Sequence, residues 1–265
     1  MTLRIATYNI HKGVMGLRRP ALTIHELRRC LHDLDADLVF LQEVQGRHDG
    51  HARRFPHWPT QGQHEFLAGH SALDDVLGHA SAPRYFSAYG MNAVYPEGHH
   101  GNALLSRFPI EWAMNQDVSD HRLEQRGLLH ARVITPQGPV HALVVHFGLF
   151  GGSRARQAEQ LVSHVQRHTD PHLPLIVAGD FNDWRRKLGP VLRAGLKAHE
   201  VIPDQHARRW VRVGSFPARW PVLGLDRVFV RGFEAVKAVV PHGPQWSALS
   251  DHSPFVVDLE PKGPA

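Results

Sequence analysis

The sequence predicts an α/β fold in which mixed β-sheets carry helices on their outer faces. Three observations predict it. The chain opens with an apolar strand pattern, a helical repeat of apolar residues and a second apolar run that ends on an acid, a β-α-β start. Its middle third changes to short apolar runs separated by turn residues, the pattern of antiparallel strands. With 265 residues, 42% hydrophobic and 8% aromatic, the chain buries a large core and fits one domain over residues 1–265.

Each element follows in order. Residues 3–10 read as the first strand. Thr23-Ile24-His25-Glu26 reads as a capping box ahead of Leu27, Cys30, Leu31 and Leu34 at helical spacing. Residues 37–43, rich in Leu, Val and Phe, read as a buried strand ending at a carboxylate. Residues 46–62, crowded with His, Arg, Pro and Gly, lack periodicity and read as a surface loop near the substrate side. Phe66, Leu67, Leu73, Val76 and Leu77 suggest another helix. Strands are expected at 103–106, 111–118, 128–134 and 140–146. Ser153 reads as the cap of a helix with Ala158, Leu161, Val162 and Val165 on its apolar face. Residues 175–178, 227–230, 235–240 and 255–259 complete the strands, and no internal repeat, long linker or low-complexity segment interrupts them.

Composition sets outer limits on function. A single cysteine, Cys30, rules out an internal disulfide and a cysteine-built zinc site. The N-terminus has no basic, apolar and small-residue succession of a secretory signal. The longest apolar stretch, 140–150, is broken by His141 and His146 and is shorter than the roughly 20 residues a bilayer span needs. The expectation is a cytoplasmic protein with no stable membrane insertion and no obligate protein partner. A net charge of +5, mostly from arginine, suits an anionic substrate. Arginine and 22 histidines equally fit a genome-wide base composition, so charge alone selects nothing.

Five segments place ionisable or amide side chains beside strongly apolar strands: Tyr8-Asn9, Gln42-Glu43, Val145-His146, Gly179-Asp180-Phe181-Asn182 and Ser250-Asp251-His252. A carboxylate at the end of a buried strand is costly unless it is exposed, paired or metal-bound. Glu43 alone reads as an ordinary strand-terminal acid. Asp180 and Asn182, two apart after Gly179, fit either an Asx-turn or a pair pointing to one side of an extended segment. His146 and His252 alone read as satisfied or solvated histidines, but Asp226, opening an apolar strand, is an acid suited to orient His252.

Together these segments resemble the endonuclease/exonuclease/phosphatase superfamily over almost the whole chain. The matching stretches are Thr7-Tyr8-Asn9-Ile10, Leu41-Gln42-Glu43-Val44, Gly101-Asn102-Ala103-Leu104-Leu105-Ser106-Arg107, His146, Gly179-Asp180-Phe181-Asn182, Leu225-Asp226-Arg227 and Ser250-Asp251-His252. The resemblance implies a deoxyribonuclease I-like, four-layer sandwich of two mixed β-sheets flanked by helices. It implies a Mg²⁺ or Mn²⁺ ion held by Glu43, with Asn9 and Asp251 supporting it directly or through water. It further implies Asp180 as the base for the attacking water, Asn182 holding that water or a phosphate oxygen, and His146 and His252 donating to phosphate oxygens, with Asp226 behind His252. Asn102 and Arg107 fit a substrate-binding or a structural role. Trp220, in the segment 214–221, fits a stacking surface or buried packing, and Trp184 carries the same choice.

One departure stands out: DNA-repair members carry an acid two residues after the first motif's asparagine, where this chain has His11. Hydrolysis of a phosphodiester in nucleic acid is the first expectation, with arginines in the loops 47–54 and 208–219 as support. A phospholipid head group or small phosphate ester is the second. A non-catalytic binding module is the third, and it has no use for an intact metal-and-water set.

Overall fold

The computed structural model describes residues 2–16, 18–69, 84–204 and 214–262. Strand β1 (Leu3–Asn9) leads through a 3-10 turn at His11–Gly13 into the hairpin β2 (Val14–Met15) and β3 (Ala21–Leu22), then helix α1 (Ile24–Asp33) and strand β4 (Leu38–His48). Helices α2 (Asp49–Arg54) and α3 (Gln63–Ala68) precede five strands, β5 (Phe86–Tyr95), β6 (Gly98–Ser106), β7 (Ile110–Asp117), β8 (Gly127–Thr135) and β9 (Gly138–His146). Helix α4 (Gly151–His168), β10 (Leu175–Asp180), α5 (Gly189–Leu196), β11 (His199–Glu200), β12 (Asp226–Arg231), β13 (Phe233–Val239), α6 (Pro244–Ser247) and β14 (Phe255–Pro261) complete the order.

The long strands form two six-stranded sheets, ordered β13-β14-β1-β4-β6-β5 and β11-β12-β10-β9-β8-β7. Each sheet contains one parallel pair near its middle, β1 with β4 and β9 with β10, joined by the crossover helices α1 and α4. The central strands are buried on both faces and carry apolar residues on both. On β1 and β4, Ile5, Leu38 and Phe40 face the second sheet, meeting Ala131, Val144, Ile176 and Val228. Ala6, Tyr8, Val39 and Leu41 face outward onto Leu27 and Leu31 of α1 and Phe66 and Leu67 of α3. Leu143, Val145, Val177 and Phe229 of the second sheet pack beneath Leu161 and Val165 of α4 and Leu192 and Leu196 of α5. The layers are therefore helix, sheet, sheet, helix, as the sequence resemblance implies.

Local departures have physical causes. Thr23 stands at the α1 N-cap but forms no side-chain cap; its hydroxyl donates to the Leu249 carbonyl at 3.1 Å, and Glu26 pairs with Arg29. Helix α4 starts at Gly151 with Phe150 as N-cap, and Ser153, inside its first turn, donates to Asp120 at 2.6 Å. The expected loop at 46–62 instead holds the end of β4 and helix α2, which is short and too rich in His and Arg for an apolar repeat to reveal. Leu73, Val76 and Leu77, expected to continue the helix begun at Phe66, lie outside the described residues, as do the arginines at 208, 209 and 212. No described helix is long and apolar enough to cross a membrane.

Buried polar groups in the second sheet form two closed networks. Arg227, almost fully buried, donates to Asp183 at 2.9 Å and to Glu200 at 2.7 and 2.8 Å. Behind the sheet, Gln116 Oε1 accepts from His164 Nδ1, His164 Nε2 accepts from His130 Nδ1 at 2.9 Å, and His130 Nε2 accepts from His141 Nδ1 at 2.9 Å. Burial favours the neutral form of all three rings, and with neutral rings an amide oxygen that only accepts makes the chain of donations run one way. Burial holds His130 down at about 3 and His164 at about 4. Their folded pKa values are below the unfolded value near 6.5, so this stability is complete above that pH and is lost as pH falls toward the folded values. Each histidine contributes a slope of at most about 1.4 kcal/mol per pH unit. His130→Gln should therefore make stability about 1 kcal/mol per pH unit less steep on average between pH 6.5 and 5, measured by urea unfolding. An unchanged slope would mean the folded ring already takes up the proton.

Candidate active site

The C-terminal ends of the two parallel pairs meet at one edge of the sandwich, the edge on which α/β sheets bind ligands. Asn9 ends β1, His146 ends β9 and Asp180 ends β10, while Glu43 lies inside β4 at a bulge. Between Leu41 and Val44, β4 spends one more residue than β6, and Glu43 takes a left-handed φ of 56°. Such bulges re-aim a side chain. Opposite the bulge, Gly101 is obligatory, because a Cβ there would lie 1.9 Å from the Gly90 carbonyl oxygen. Gly179 has the same function before Asp180: its φ is 153° and a Cβ would meet the Val145 carbonyl oxygen at 1.9 Å.

The side chains converge. Asn9 Nδ2 donates to Asp180 Oδ2 at 3.3 Å and to Glu43 Oε1 at 3.4 Å, tying the two carboxylates together. Its Oδ1 accepts from the His11 amide at 3.1 Å, which fixes the orientation of the group. Asp180 Oδ2 also lies 3.6 Å from His146 Nε2 and 3.7 Å from His252 Nε2. On its far side, His252 Nδ1 donates to Asp226 Oδ2 at 2.7 Å. Asp226 pairs with Asp180 in the β10–β12 register, so two carboxylates stand side by side with His252 between. Ser250 donates to the Asn9 carbonyl at 2.6 Å and accepts from the His252 amide, seating the last motif against the first. Asp180 Oδ1 accepts from the Asn182 amide as an Asx-turn, and the Asn182 side chain donates to the Phe147 carbonyl at 2.9 Å. The segment therefore turns after Asp180 instead of running extended, with Asn182 at a φ of 50°.

Burial and neighbouring charge set the proton inventory. Asp180, 1% exposed, is pushed up to about 6 by burial, against the pull of His252 and with Asp226 adding to the rise. Burial opposes charge on His252, but Asp226 and Asp180 outweigh it and carry the ring up to about 10. His146 is held well below its ordinary value by burial, with Arg126 adding to the effect. For Glu43, burial is outweighed by Lys12, His146 and His11, which hold its carboxyl far below the carboxylate range. At neutral pH the cluster thus contains a buried ionised base, one cationic histidine and one neutral histidine.

Not every sequence candidate joins this cluster. Arg107 pairs with Asp35 and Asp37 at the opposite end of the first sheet. Strand β6 runs antiparallel to β4, placing Gly101 beside Val44 but Ser106 beside Leu38, so Arg107 is architectural. Asn102 is fully buried between the sheets, donating to the Gly127 and Val144 carbonyls at 2.9 and 3.3 Å. Trp220 is 78% exposed, on the segment that also packs Phe216 against His252 with tilted rings 5.0 Å apart and bonds Ala218 N to the Asp251 carbonyl. It is a rim residue, and buried packing does not apply to it. Trp184, 44% exposed, lies under the Arg154 guanidinium at 4.4 Å.

Three neighbours, Lys12, Arg126 and His100, were not singled out from the sequence for this site, and His11 stood out there only as a departure from the first motif. Lys12 Nζ lies 3.0 Å from Glu43 Oε2 and His11 Nδ1 lies 3.3 Å from Asp251 Oδ1. Both come from the His11-Lys12-Gly13 turn, where all three residues have positive φ. Arg126 donates to the Phe147 carbonyl, and His100 contributes to the field at both Glu43 and His146. A lysine directly after His11 in the first motif was the available signal.

Among the described residues, no three His, Cys, Asp or Glu side chains form a ready-made cage for a metal ion. The donor chemistry nevertheless fits a hard, partly hydrated cation, which is bound through one or two carboxylates and keeps several waters. Glu43 Oε2 is buried without a hydrogen bond, its charge faced by Lys12 at 3.0 Å and His11 at 4.0 Å, and Asp251 offers a second carboxylate across His11.

The chain belongs to the Endonuclease/Exonuclease/phosphatase family, whose model matches residues 6–252. Members of this family are generally hydrolases acting on phosphate esters, and they include phosphodiesterases and nucleases. The YbhP protein of Escherichia coli strain K12 is 38% identical over 260 residues, covering 97% of this chain and 96% of its own. Among solved structures, an endonuclease/exonuclease/phosphatase from Beutenbergia cavernae superposes with a TM-score of 0.73 at 20% identity, covering 99% of this chain and 72% of the other. Danio rerio TDP2, complexed with a single-strand DNA product, gives 0.63 at 16% identity over 98% of this chain and 99% of the other. At such identities these structures establish the fold.

Proposed function

We propose that this protein hydrolyses a phosphodiester bond in nucleic acid, with Mg²⁺ or Mn²⁺, by in-line attack of an activated water. The observation that carries the proposal is the position of Asp180 Oδ2, facing His146 Nε2 and His252 Nε2 across gaps of 3.6 and 3.7 Å. Asp180 takes the proton of the attacking water; a base with a pKa near 6 is suited to work at neutral pH. His252, cationic between two carboxylates, and neutral His146 donate toward the phosphate oxygens on which negative charge grows. Asp226 holds the His252 ring in its donating orientation. Asn182 sits beside the same base, and Lys12, released from Glu43, is a further phosphate donor. Glu43 and Asp251, with Asn9 fixing the first of them, would hold the cation, whose chemistry is to withdraw charge from the phosphate.

The +5 net charge and a related fold that holds single-strand DNA support nucleic acid as the substrate. A second reading, a phospholipid head group, has one observation in its favour: Leu123, Leu149, Phe150, Trp184 and Trp220 are all exposed. The test is a panel of single- and double-stranded DNA, an abasic-site duplex, RNA, phospholipid vesicles and a chromogenic phosphodiester, each in Mg²⁺ or Mn²⁺ with an EDTA control. Cleavage of a nucleic acid that EDTA abolishes is expected. Cleavage of phospholipid alone would favour the second reading, and no cleavage in any arm would end the proposal.

A further inference from the structure

Beside Glu43 the structure forms a groove of about 510 Å³, within the roughly 300–1,000 Å³ range of small-molecule sites. Its floor is the His11-Lys12 turn together with Asp251, so it opens directly onto the cluster described above. One wall is the β2–β3 hairpin, which presents Val14, Met15 and Pro20; the other is α2, which presents His51 and Arg54. The hairpin side is apolar. On the opposite wall the His51 ring stacks on His48, with centroids 3.8 Å apart and planes 4° from parallel, and Trp58 braces it edge-on at 4.9 Å.

The stacked pair is uncharged. His48 Nδ1 accepts from the His51 backbone amide at 3.0 Å, and His51 Nδ1 bonds Gln45 Oε1 at 3.0 Å. Burial, with Arg54 and Lys12 nearby and His48 competing for any proton, holds His51 down at about 4, and burial also lowers His48. A neutral imidazole thus lines the groove opposite an apolar wall, with the cation Lys12 on the floor and the cation Arg54 on the α2 wall. That combination takes a planar, uncharged ring system joined to an anion. Pure aliphatic chains gain nothing from Arg54, and a bare phosphate gains nothing from Met15 and Pro20.

We propose that this groove seats the base of the nucleotide flanking the scissile phosphate, packed between the β2–β3 hairpin and His51, with that nucleotide's next phosphate on Arg54. The assignment rests on the reading of the protein as a nucleic-acid phosphodiesterase and narrows it to substrates with an unstacked base, that is, single strands. A second cavity, of about 490 Å³, is lined by His48 of the stacked pair together with Trp58 and Phe55.

The test uses the full-length Asp180→Asn variant in Mg²⁺ and a short single-stranded oligonucleotide carrying 2-aminopurine, whose fluorescence is quenched on stacking. Quenching on binding is expected, and Met15→Glu and Arg54→Glu, each added separately, should weaken binding at least about tenfold while leaving the circular dichroism spectrum intact. Arg54 is exposed on a short helix, so its variant tests the groove even where Met15→Glu disturbs the hairpin. Wild-type cleavage of the same oligonucleotide without quenching, or quenching that both variants retain, would overturn the groove while leaving the phosphodiesterase reading in place. Binding to phospholipid vesicles but not to the oligonucleotide would overturn both. Groove-dependent quenching with no cleavage of any diester by the wild type would overturn the catalytic reading and, with it, the assignment of the groove to a nucleotide flanking a scissile phosphate.

Discussion

Asp180→Ala is expected to fold and to lose roughly 10²- to 10⁴-fold in phosphodiester hydrolysis, the range that a positioned general base contributes. Its carboxylate is buried at the end of β10 and surrounded by Asn9, His146 and His252. Removing a carboxyl that burial has pushed up to about 6 relieves an unfavourable charge, so the fold has little to lose beyond two hydrogen bonds. Asp180→Asn preserves the Asx-turn to the Asn182 amide and removes only the base. Steady-state rates on a chromogenic diester, with circular dichroism on the same samples, check both variants. Wild-type rates in either would take Asp180 out of the chemistry.

The largest stability effect is expected from Arg227→Met. Its guanidinium is buried under Phe181 and Phe229 and is the partner of two buried acids, Asp183 and Glu200. Removing one member of a buried ionic network costs about 3–5 kcal/mol, because the remaining charges stay out of water. Here the low end applies: Asp183 keeps the Lys187 and Leu188 amides, and Glu200 keeps Arg186 and Arg193. At about 3 kcal/mol the melting temperature should fall by roughly 6–12 °C. Adding Glu200→Gln to Arg227→Met should recover part of that fall; a double variant no more stable than the single one would show that packing, not charge, holds this site.

What the sequence revealed, and what it hid, follows from the range of each interaction. Glu43, His146, Asp180, Asp226 and His252 were legible because each stands in, at the end of or beside a strongly apolar strand, where a polar group is costly. Their convergence was legible only through the order and spacing of the motifs. Arg107 stands in a matching segment, but its distance from the cluster depends on β6 running antiparallel to β4, which one strand's sequence does not encode. The Thr23 hydroxyl leaves its own helix for the Leu249 carbonyl, a contact 226 positions away. Lys12 was hidden for a local reason: three consecutive positive φ angles make a turn with no periodicity, and only the turn aims its ammonium at Glu43.

Whether strand ends far apart along the chain gather around a single cation is settled by titrating Mn²⁺ into the wild type and into Glu43→Gln, following bound ion by electron paramagnetic resonance. Saturable binding to the wild type that the substitution weakens at least about tenfold is expected, since a divalent ion of this kind is held chiefly by carboxylate charge. Equal affinity in both proteins would place the ion elsewhere and leave Glu43 as no more than the partner of Lys12.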